Sequence, residues 1–226
     1  MKVSSEFSKY ASHYGSYNIV QQKVADKLLS LLDVKPKNIL DLGCGSGTLA
    51  NKITWEYDKL IAVDFAPGML ELHPKSRNIE CIYGNFNDAK LFETLKKYDF
   101  DYVLSASALQ WADDLQMIFE ALQSLHVPVA LAIFTANTFQ TLYKTAGLQP
   151  LLIDTCKLDA LQKKYFNANF EVVKYKLEFE NVREMFRYIK KSGVSGSRNI
   201  LSYKEMKKLM QEYPHNYLEF EVAFIY

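Results

Sequence analysis

A glycine-rich stretch near the start of the chain has the residue types that a ligand-binding turn needs. Residues 38–47 read NILDLGCGSG, in which Gly43, Gly45 and Gly47 alternate after an apolar run. A phosphate-binding P-loop would need Lys directly after the last glycine, where this chain has Thr48, and the dinucleotide fingerprint G-x-G-x-x-G also fails. A triplet of this spacing allows a tight strand-to-helix turn whose bare backbone a ligand can approach. A pyrophosphate ligand is therefore disfavoured.

A later acidic residue indicates the kind of ligand. The apolar run at 59–65 contains Asp64, seventeen residues after Gly47. An acidic side chain at the end of the second strand of such a fold can accept hydrogen bonds from the hydroxyls of a ribose. The two features together indicate a nucleoside.

The elements that must position these residues alternate along the chain. Apolar runs predict five buried strands, at 38–42, 59–65, 79–84, 100–106 and 127–135. Helical patterns separate them, at 46–57, 67–75, 88–98 and 113–125. A further helix is predicted before the first strand, at 18–32. After the fifth strand, two more strands are predicted at 170–179 and 217–226, with two helices between them at 181–191 and 202–212. The alternation predicts an α/β fold with a doubly wound, mostly parallel, seven-stranded sheet and helices on both faces.

No linker or internal repeat divides this pattern. Residues 1–226 are therefore predicted to form a single domain. Its N-terminal segment, 1–34, is predicted to be helical. A helical insertion at 181–212 is predicted between the last two strands, and it could form a lid.

Charge and composition exclude several classes of protein. The formal net charge of +1 gives no general attraction to DNA or to a membrane surface, and no apolar run approaches the roughly eighteen residues of a membrane span. We expect a cytoplasmic protein. The cysteines lack C-x-x-C spacing, so neither a disulfide framework nor a metal site is predicted. One local exception is the segment 163–208, where twelve Lys or Arg face five Asp or Glu, a net charge of +7.

The motifs resemble those of the class I S-adenosylmethionine-dependent methyltransferases. ILDLGCGSG, then VDFAPGML, then GNF follow one another in the order and at the separations of that family's first three motifs. The resemblance implies S-adenosylmethionine as cofactor and S-adenosylhomocysteine as its product. It also implies a set of cofactor-binding residues: Asp41, Gly43, Cys44, Gly45 and Gly47 for the amino-acid part, Asp64 for the ribose, Phe65, Met69, Asn85 and Phe86 for the adenine, and Ser105. The family often has Asp where this chain has Asn85, and the amide oxygen can replace the carboxylate as acceptor.

The region after the fourth strand concerns the methyl acceptor. Residues 105–111, SASALQW, begin with small side chains that leave room for a sulfonium methyl, and the motif [DN]-P-P-[FYW] of enzymes acting on adenine or amide nitrogens is absent. Four histidines occur, and His13 alone is a candidate base because the other three lie beside prolines or at a strand start. A carboxylate is already ionised near neutral pH and needs no base. The weak candidates for a base therefore favour a carboxylate acceptor.

A closer resemblance covers essentially the whole chain. FSKYASHYGSYN, SASALQWADDL, IFTANTFQTLYKTAG and MFRYIKKSGVSG are similar to segments of the malonyl-acyl-carrier-protein O-methyltransferase family of biotin synthesis. That family methylates the free carboxylate of a malonyl thioester. The resemblance implies that Tyr14 closes over the site, that Gln110 and Trp111 line the acceptor pocket, and that Arg187 and Lys190 bind the malonyl carboxylate.

The same resemblance implies a partner. Malonyl-acyl-carrier protein or malonyl-coenzyme A would carry the substrate, and an acidic carrier protein matches the basic segment 163–208. Three alternatives stay open: a free polycarboxylate acceptor such as aconitate, a tRNA or rRNA acceptor, and a non-catalytic scaffold. RNA is disfavoured because no separate RNA-binding module is visible, and DNA, a membrane and a metal are not expected.

Overall fold

A computed structural model describes residues 18–192 and 202–226. The described residues contain one seven-stranded sheet in the order β3-β2-β1-β4-β5-β7-β6, in which β1 to β5 are parallel and β7 is antiparallel to β5 and β6. The predicted doubly wound, mostly parallel sheet is confirmed. Its strands are Asn38–Leu42 (β1), Lys59–Asp64 (β2), Ile79–Tyr83 (β3), Tyr102–Ala106 (β4), Val129–Phe134 (β5), Phe170–Glu178 (β6) and Tyr217–Ile225 (β7).

Helices connect the strands and cover both faces of the sheet. The described α-helices are Ile19–Ser30 (α1), Pro67–Leu72 (α2), Ala89–Leu95 (α3), Leu115–Gln123 (α4), Gln140–Ala146 (α5), Thr155–Gln162 (α6), Val182–Ser192 (α7) and Tyr203–Glu212 (α8). Buried side chains of α1, α7 and α8 belong to one apolar core, and those of α3, α4 and α6 belong to the other. Because both faces are covered, β1, β2, β4 and β5 are almost continuously buried and apolar.

Side-chain caps define where several helices begin. Asp88, Asp114 and Asp154 accept hydrogen bonds from N–H groups in the first turns of α3, α4 and α6. Ser202 and Glu205 form a capping box at the start of α8. Asp114 is therefore a cap, as its place before an apolar helical pattern indicates.

Three local predictions were wrong. The helix predicted at 46–57 does not form: Gly47 has a left-handed φ of +85°, and isolated helical turns follow, such as the bond from Asn51 N–H to the Gly47 carbonyl. β3 was predicted to be buried, but it is an edge strand with no buried residue, because only β2 lies beside it. The helices α5 and α6 were missed because each is short and α5 has no buried residue to produce an apolar stripe.

The order of the strands determines where a ligand can bind. β2 and β3 lie on one side of β1, whereas β4 and β5 lie on the other, so the direction in which successive strands are added to the sheet reverses between β1 and β4. In open α/β sheets, ligands bind beyond the carboxyl ends of the strands at such a switch point. The α7–α8 insertion leaves the sheet at the same end, beyond the carboxyl ends of the parallel strands. The last residue of β6, Glu178, pairs with the first residue of β7, Tyr217, and because β7 runs antiparallel to β5, this pair lies beyond the carboxyl end of β5.

No helix in the described ranges is long and apolar enough to cross a membrane. Among the same residues no group of three or more His, Cys, Asp or Glu is arranged to hold a metal ion.

Candidate active site

A cleft opens at the switch point, beyond the carboxyl ends of β1, β2 and β4. Together with the solvent space at its open mouth the cleft takes in about 760 Å³. Most of its wall is apolar, with a few polar groups among it. The lining residues are Gln21, Asp41, Gly43, Cys44, Gly45, Ser46, Thr48, Leu49, Asp64, Phe65, Met69, Phe86, Ala106, Ser107, Ala108 and Trp111.

The three glycines of the loop after β1 have different roles. All have positive φ, and a Cβ at Gly43 would lie 2.3 Å from Cβ of Ala108, which no packed structure tolerates. At Gly45 a Cβ would meet nothing within 4 Å, so the cleft is open above it. At Gly47 a Cβ would lie 2.4 Å from Cδ of Pro74. Gly47 therefore permits packing against the chain after α2 and does not line the cleft, unlike Gly43 and Gly45.

Asp64 holds the loop in this shape. Its carboxylate accepts hydrogen bonds from the N–H of Gly45, at 2.9 Å, and from the N–H of Ala66, at 2.8 Å. Burial raises the pKa of Asp64, and the backbone hydrogen bonds oppose this shift in part. A carboxylate has about four lone-pair sites, so oxygen lone pairs remain for a ligand.

Asp41 is the most unusual group in the cleft. Its side chain is buried and neither carboxyl oxygen has a hydrogen-bond partner in the described structure. Burial, followed by the charge of Asp64, raises the pKa of Asp41 to about 8. Buried polar groups are almost always hydrogen-bonded, so these oxygens fit a ligand that brings a positive charge with N–H donors.

The opposite part of the wall can hold a flat apolar group. Phe65, Met69, Phe86 and Trp111 line it, and Met69 and Phe86 are buried. Asn85 is exposed and does not line the cleft; its side-chain oxygen accepts a hydrogen bond from the N–H of Asn87. Asn85 therefore shapes the turn after β3 in this structure.

The loop after β4 supplies a residue that the sequence did not reveal. Ser105, predicted to bind the cofactor, is completely buried and donates its hydroxyl hydrogen bond to the Leu42 carbonyl, which joins β4 to β1. Ser107 lines the cleft instead. It has a φ of +62° and its buried hydroxyl oxygen has no partner among the described residues. Gln110 donates from Nε2 to the Ser107 carbonyl at 2.6 Å and is not itself part of the cleft wall.

Gln21 is a second lining residue that sequence reasoning missed. It lies on α1, is buried, and its Oε1 has no described partner. A signal was available in the sequence, because Gln21 falls within the apolar stripe formed by Val20, Val24 and Leu28. An amide in a buried stripe needs a polar partner, and the cleft provides the place for one.

Several predicted residues lie away from the cleft. Arg187 is exposed on α7, where its Nη1 lies 2.6 Å from Oε1 of Glu184, and it does not line the cleft. The cause is its place on the solvent side of α7, whose inner side is anchored by buried Met185. Tyr14, His13 and the side chain of Lys190 lie outside the described residues. The cleft thus gathers Asp41, Gly43, Cys44, Gly45, Asp64, Phe65, Met69, Phe86 and Trp111 from the predicted set.

Comparison with known proteins shows what this arrangement is similar to. A family profile described as "Methyltransferase domain" matches residues 39–128, which contain the glycine loop, Asp64 and the loop after β4. The described sheet has the class I methyltransferase fold, and residues 39–128 are similar to a methyltransferase domain. The YcgJ protein from Bacillus subtilis has a similar structure, with a TM-score of 0.62 at 11% identity over 90% of this chain and 97% of that one. That likeness supports the fold.

Longer matches extend beyond the domain profile. A malonyl-[acyl-carrier protein] O-methyltransferase from Acetivibrio thermocellus is 29% identical over 91% of this chain and 84% of its own length. A protein of the same name from Halorhodospira halophila is 27% identical over 93% of this chain and 79% of its own length. These matches extend beyond residues 39–128, the span of the domain profile.

Proposed function

We propose that this methyltransferase transfers the methyl group of S-adenosylmethionine to the free carboxylate of a malonyl group, carried as a thioester on an acyl carrier protein, in the synthesis of a biotin precursor. The observation that carries the proposal is the cleft itself: its polar groups are suited to the cofactor, and its described lining contains no His, Lys or Tyr that could act as a base for a neutral acceptor. Similarity over 91% and 93% of this chain to proteins named malonyl-[acyl-carrier protein] O-methyltransferase supports the choice of acceptor.

The residues of the cleft fit S-adenosylmethionine. The buried oxygens of Asp41 without a described partner match the ammonium of its methionine part, and the open space above Gly45 leaves the backbone accessible. Asp64 has oxygen lone pairs for the ribose hydroxyls, and Phe65, Met69 and Phe86 form an apolar wall for the adenine. When bound, the cofactor would supply an electrophilic methyl group on a positively charged sulfur.

The described lining favours an acceptor that brings its own negative charge. The titratable side chains in the described lining are those of Asp41, Cys44 and Asp64. Asp41 and Asp64 fit the cofactor, and burial together with these two carboxyls raises the pKa of the Cys44 thiol well above its usual value, so it stays protonated. In the proposed step one carboxylate oxygen of the malonyl group forms a bond to the methyl carbon, and the methyl–sulfur bond breaks with its electron pair left on sulfur. No proton is released, so alignment and exclusion of water are what the protein must provide.

The α7–α8 insertion offers a docking surface for an acidic carrier protein at the same edge as the cleft. Arg183 on α7 and Lys204 and Lys207 on α8 are exposed and form no ion pair with any residue in the described ranges. Long-range attraction between such cations and an acidic partner raises the association rate and weakens with salt. Arg187 belongs to the same helix surface, and its predicted contact with the malonyl carboxylate remains a prediction.

The acceptor atom can be tested by intact-protein mass spectrometry. Malonyl-carrier protein incubated with the enzyme and S-adenosylmethionine should gain the mass of one methyl group, and mild base should remove it because the product is an ester. The acetyl group has no free carboxylate, so acetyl-carrier protein should stay unmodified. A methyl group on both carrier proteins, or a methyl group that resists base, would refute methylation of the malonyl carboxylate.

The docking surface can be tested by charge reversal. The triple variant Arg183→Glu/Lys204→Glu/Lys207→Glu should raise KM for malonyl-carrier protein at least about tenfold at low salt and change kcat little, since it removes steering and leaves the cleft intact. The control variant Lys23→Glu/Lys90→Glu/Lys97→Glu makes the same charge change with exposed residues outside the insertion. Equal effects of the two variants would contradict docking on the insertion.

A further inference from the structure

Three residues that line the cleft from separate elements have buried side-chain oxygen atoms without a described partner. Asp41 contributes both carboxyl oxygens from β1, Gln21 contributes Oε1 from α1, and Ser107 contributes Oγ from the loop after β4. Asp41 and Gln21 are 1% and 8% exposed. Leaving such atoms without hydrogen bonds costs free energy, so a ligand that satisfies them all would gain it back.

The chemistry of these oxygens selects one kind of ligand group. Each of the four can accept a hydrogen bond, and two of them belong to the acidic side chain of Asp41. A primary ammonium carries three N–H donors and a positive charge, which matches three acceptor side chains of which one is a carboxyl group. A sulfonium has no N–H to donate, and an ionised carboxylate has no hydrogen to donate to these oxygens. The set therefore favours an ammonium over the other charged groups that the proposed reactants carry.

The backbone at Ser107 supports a specific use of its hydroxyl. Its φ of +62° lies in the left-handed region, where glycine is the residue with the least strain. The Ser107 N–H donates to the Ala132 carbonyl at 2.9 Å, which fixes the backbone, and the Gln110 amide donates to the Ser107 carbonyl on the other side. With both backbone groups bonded, the side-chain oxygen is the part of Ser107 that is left to meet a ligand.

We propose that Gln21 and Ser107 bind the α-ammonium of the cofactor's methionine part together with Asp41, and that they make the cleft selective for ligands that carry this group. The proposal rests on the proposed use of S-adenosylmethionine. It adds two binding residues, one of them on the helix before the first strand.

Isothermal titration calorimetry with two ligands separates this role from a structural one. The ligands are S-adenosylhomocysteine and its analogue with hydrogen in place of the α-amino group. The variants are Ser107→Gly, which removes the hydroxyl and relaxes the left-handed backbone, and Gln21→Met, which keeps the side-chain length. Their controls are Ser105→Ala, a buried serine that does not line the cleft, and Gln22→Met, the neighbouring position on α1.

Each test variant should bind S-adenosylhomocysteine about tenfold to a hundredfold more weakly, the usual effect of losing a hydrogen bond to a charged group. The same variants should bind the analogue within about twofold of the wild-type affinity, and both controls should leave the preference for the amino ligand unchanged. Equal losses for the two ligands, or no loss for either, would overturn the inference while leaving cofactor binding intact. If the wild-type chain bound neither ligand, the proposed cofactor itself would be refuted.

Discussion

Replacing Asp41 by asparagine should change how the stability of the ligand-free chain depends on pH. The folded-state pKa of Asp41 is raised from 3.8 to about 8, chiefly by burial and then by Asp64. The unfolded chain therefore loses this proton more readily than the folded chain, so the free energy of unfolding falls as pH rises from about 4 to about 8 and then levels off. About four pKa units, at about 1.36 kcal/mol each, amount to a loss of about 5 kcal/mol over this range. Asp41→Asn has no such proton to lose and should be more stable than the wild type by an amount that grows across this window.

Urea denaturation at several pH values between 4 and 9 measures this difference. Asp113→Asn, at an exposed position, controls for the loss of one carboxyl elsewhere on the chain. Parallel stability curves for the wild type and Asp41→Asn would show that Asp41 is ionised at little cost in the folded chain. Such a result would contradict the inference that the buried Asp41 carboxyl binds a cationic ligand group.

Three further predictions follow from individual contacts. Gly45→Ala should lower the free energy of unfolding by about 1 kcal/mol, because of the positive φ, yet largely abolish binding of S-adenosylhomocysteine in calorimetry. Gly43→Ala should also unfold at a markedly lower urea concentration, because its Cβ would clash with Ala108. Equal stability of the two variants would contradict the different roles given to the two glycines. Burial raises the pKa of Glu221, but hydrogen bonds from Thr135, Thr155 and Asn137 lower that pKa by more than burial raises it, so Glu221 stabilises the fold above the usual glutamate pKa and loses this effect as pH falls through its folded-state pKa. Glu221→Gln should therefore lower the free energy of unfolding by about 1–3 kcal/mol at pH 7, measured by urea denaturation, and by little at acidic pH. A loss of stability that does not vary with pH would contradict this prediction. Of the two tryptophans, Trp111 lines the cleft and Trp55 donates to the Pro36 carbonyl, so the fluorescence change on binding S-adenosylhomocysteine should vanish in Trp111→Phe and persist in Trp55→Phe.

Much of the fold could be predicted because the strands are long apolar runs with little ambiguity. Strand β1 matches the predicted 38–42, and β2 differs from its prediction by one residue at its end. Because both faces of these strands are covered, nearly all of their residues are apolar, and the sequence shows continuous hydrophobic runs. The helix predicted at 46–57 failed because the pattern cannot show that Gly47 takes a left-handed conformation against Pro74. That constraint comes from a contact between distant parts of the chain.

The candidate site could be predicted only in part. Glycine spacing and Asp64 are local signals with a direct physical meaning, and the structure places both around the cleft. Ser105 and Ser107 have the same residue type two positions apart, and only the strand pairing shows that the first bonds to the Leu42 carbonyl while the second faces the cleft. Gln21 lies far from the glycine loop in sequence, so its place in the cleft depends on how α1 packs.

The most direct test of the account compares catalytic efficiency for four acceptors. Purified enzyme with methyl-labelled S-adenosylmethionine is offered malonyl-carrier protein, malonyl-coenzyme A, trans-aconitate and bulk tRNA, and kcat/KM is measured for each. We predict base-labile label on malonyl-carrier protein with the highest kcat/KM of the four, and a steep loss of that advantage at high salt. Label that accumulates on aconitate or tRNA and not on a malonyl thioester would contradict the proposed acceptor, and no transfer to any of the four would contradict the proposed reaction.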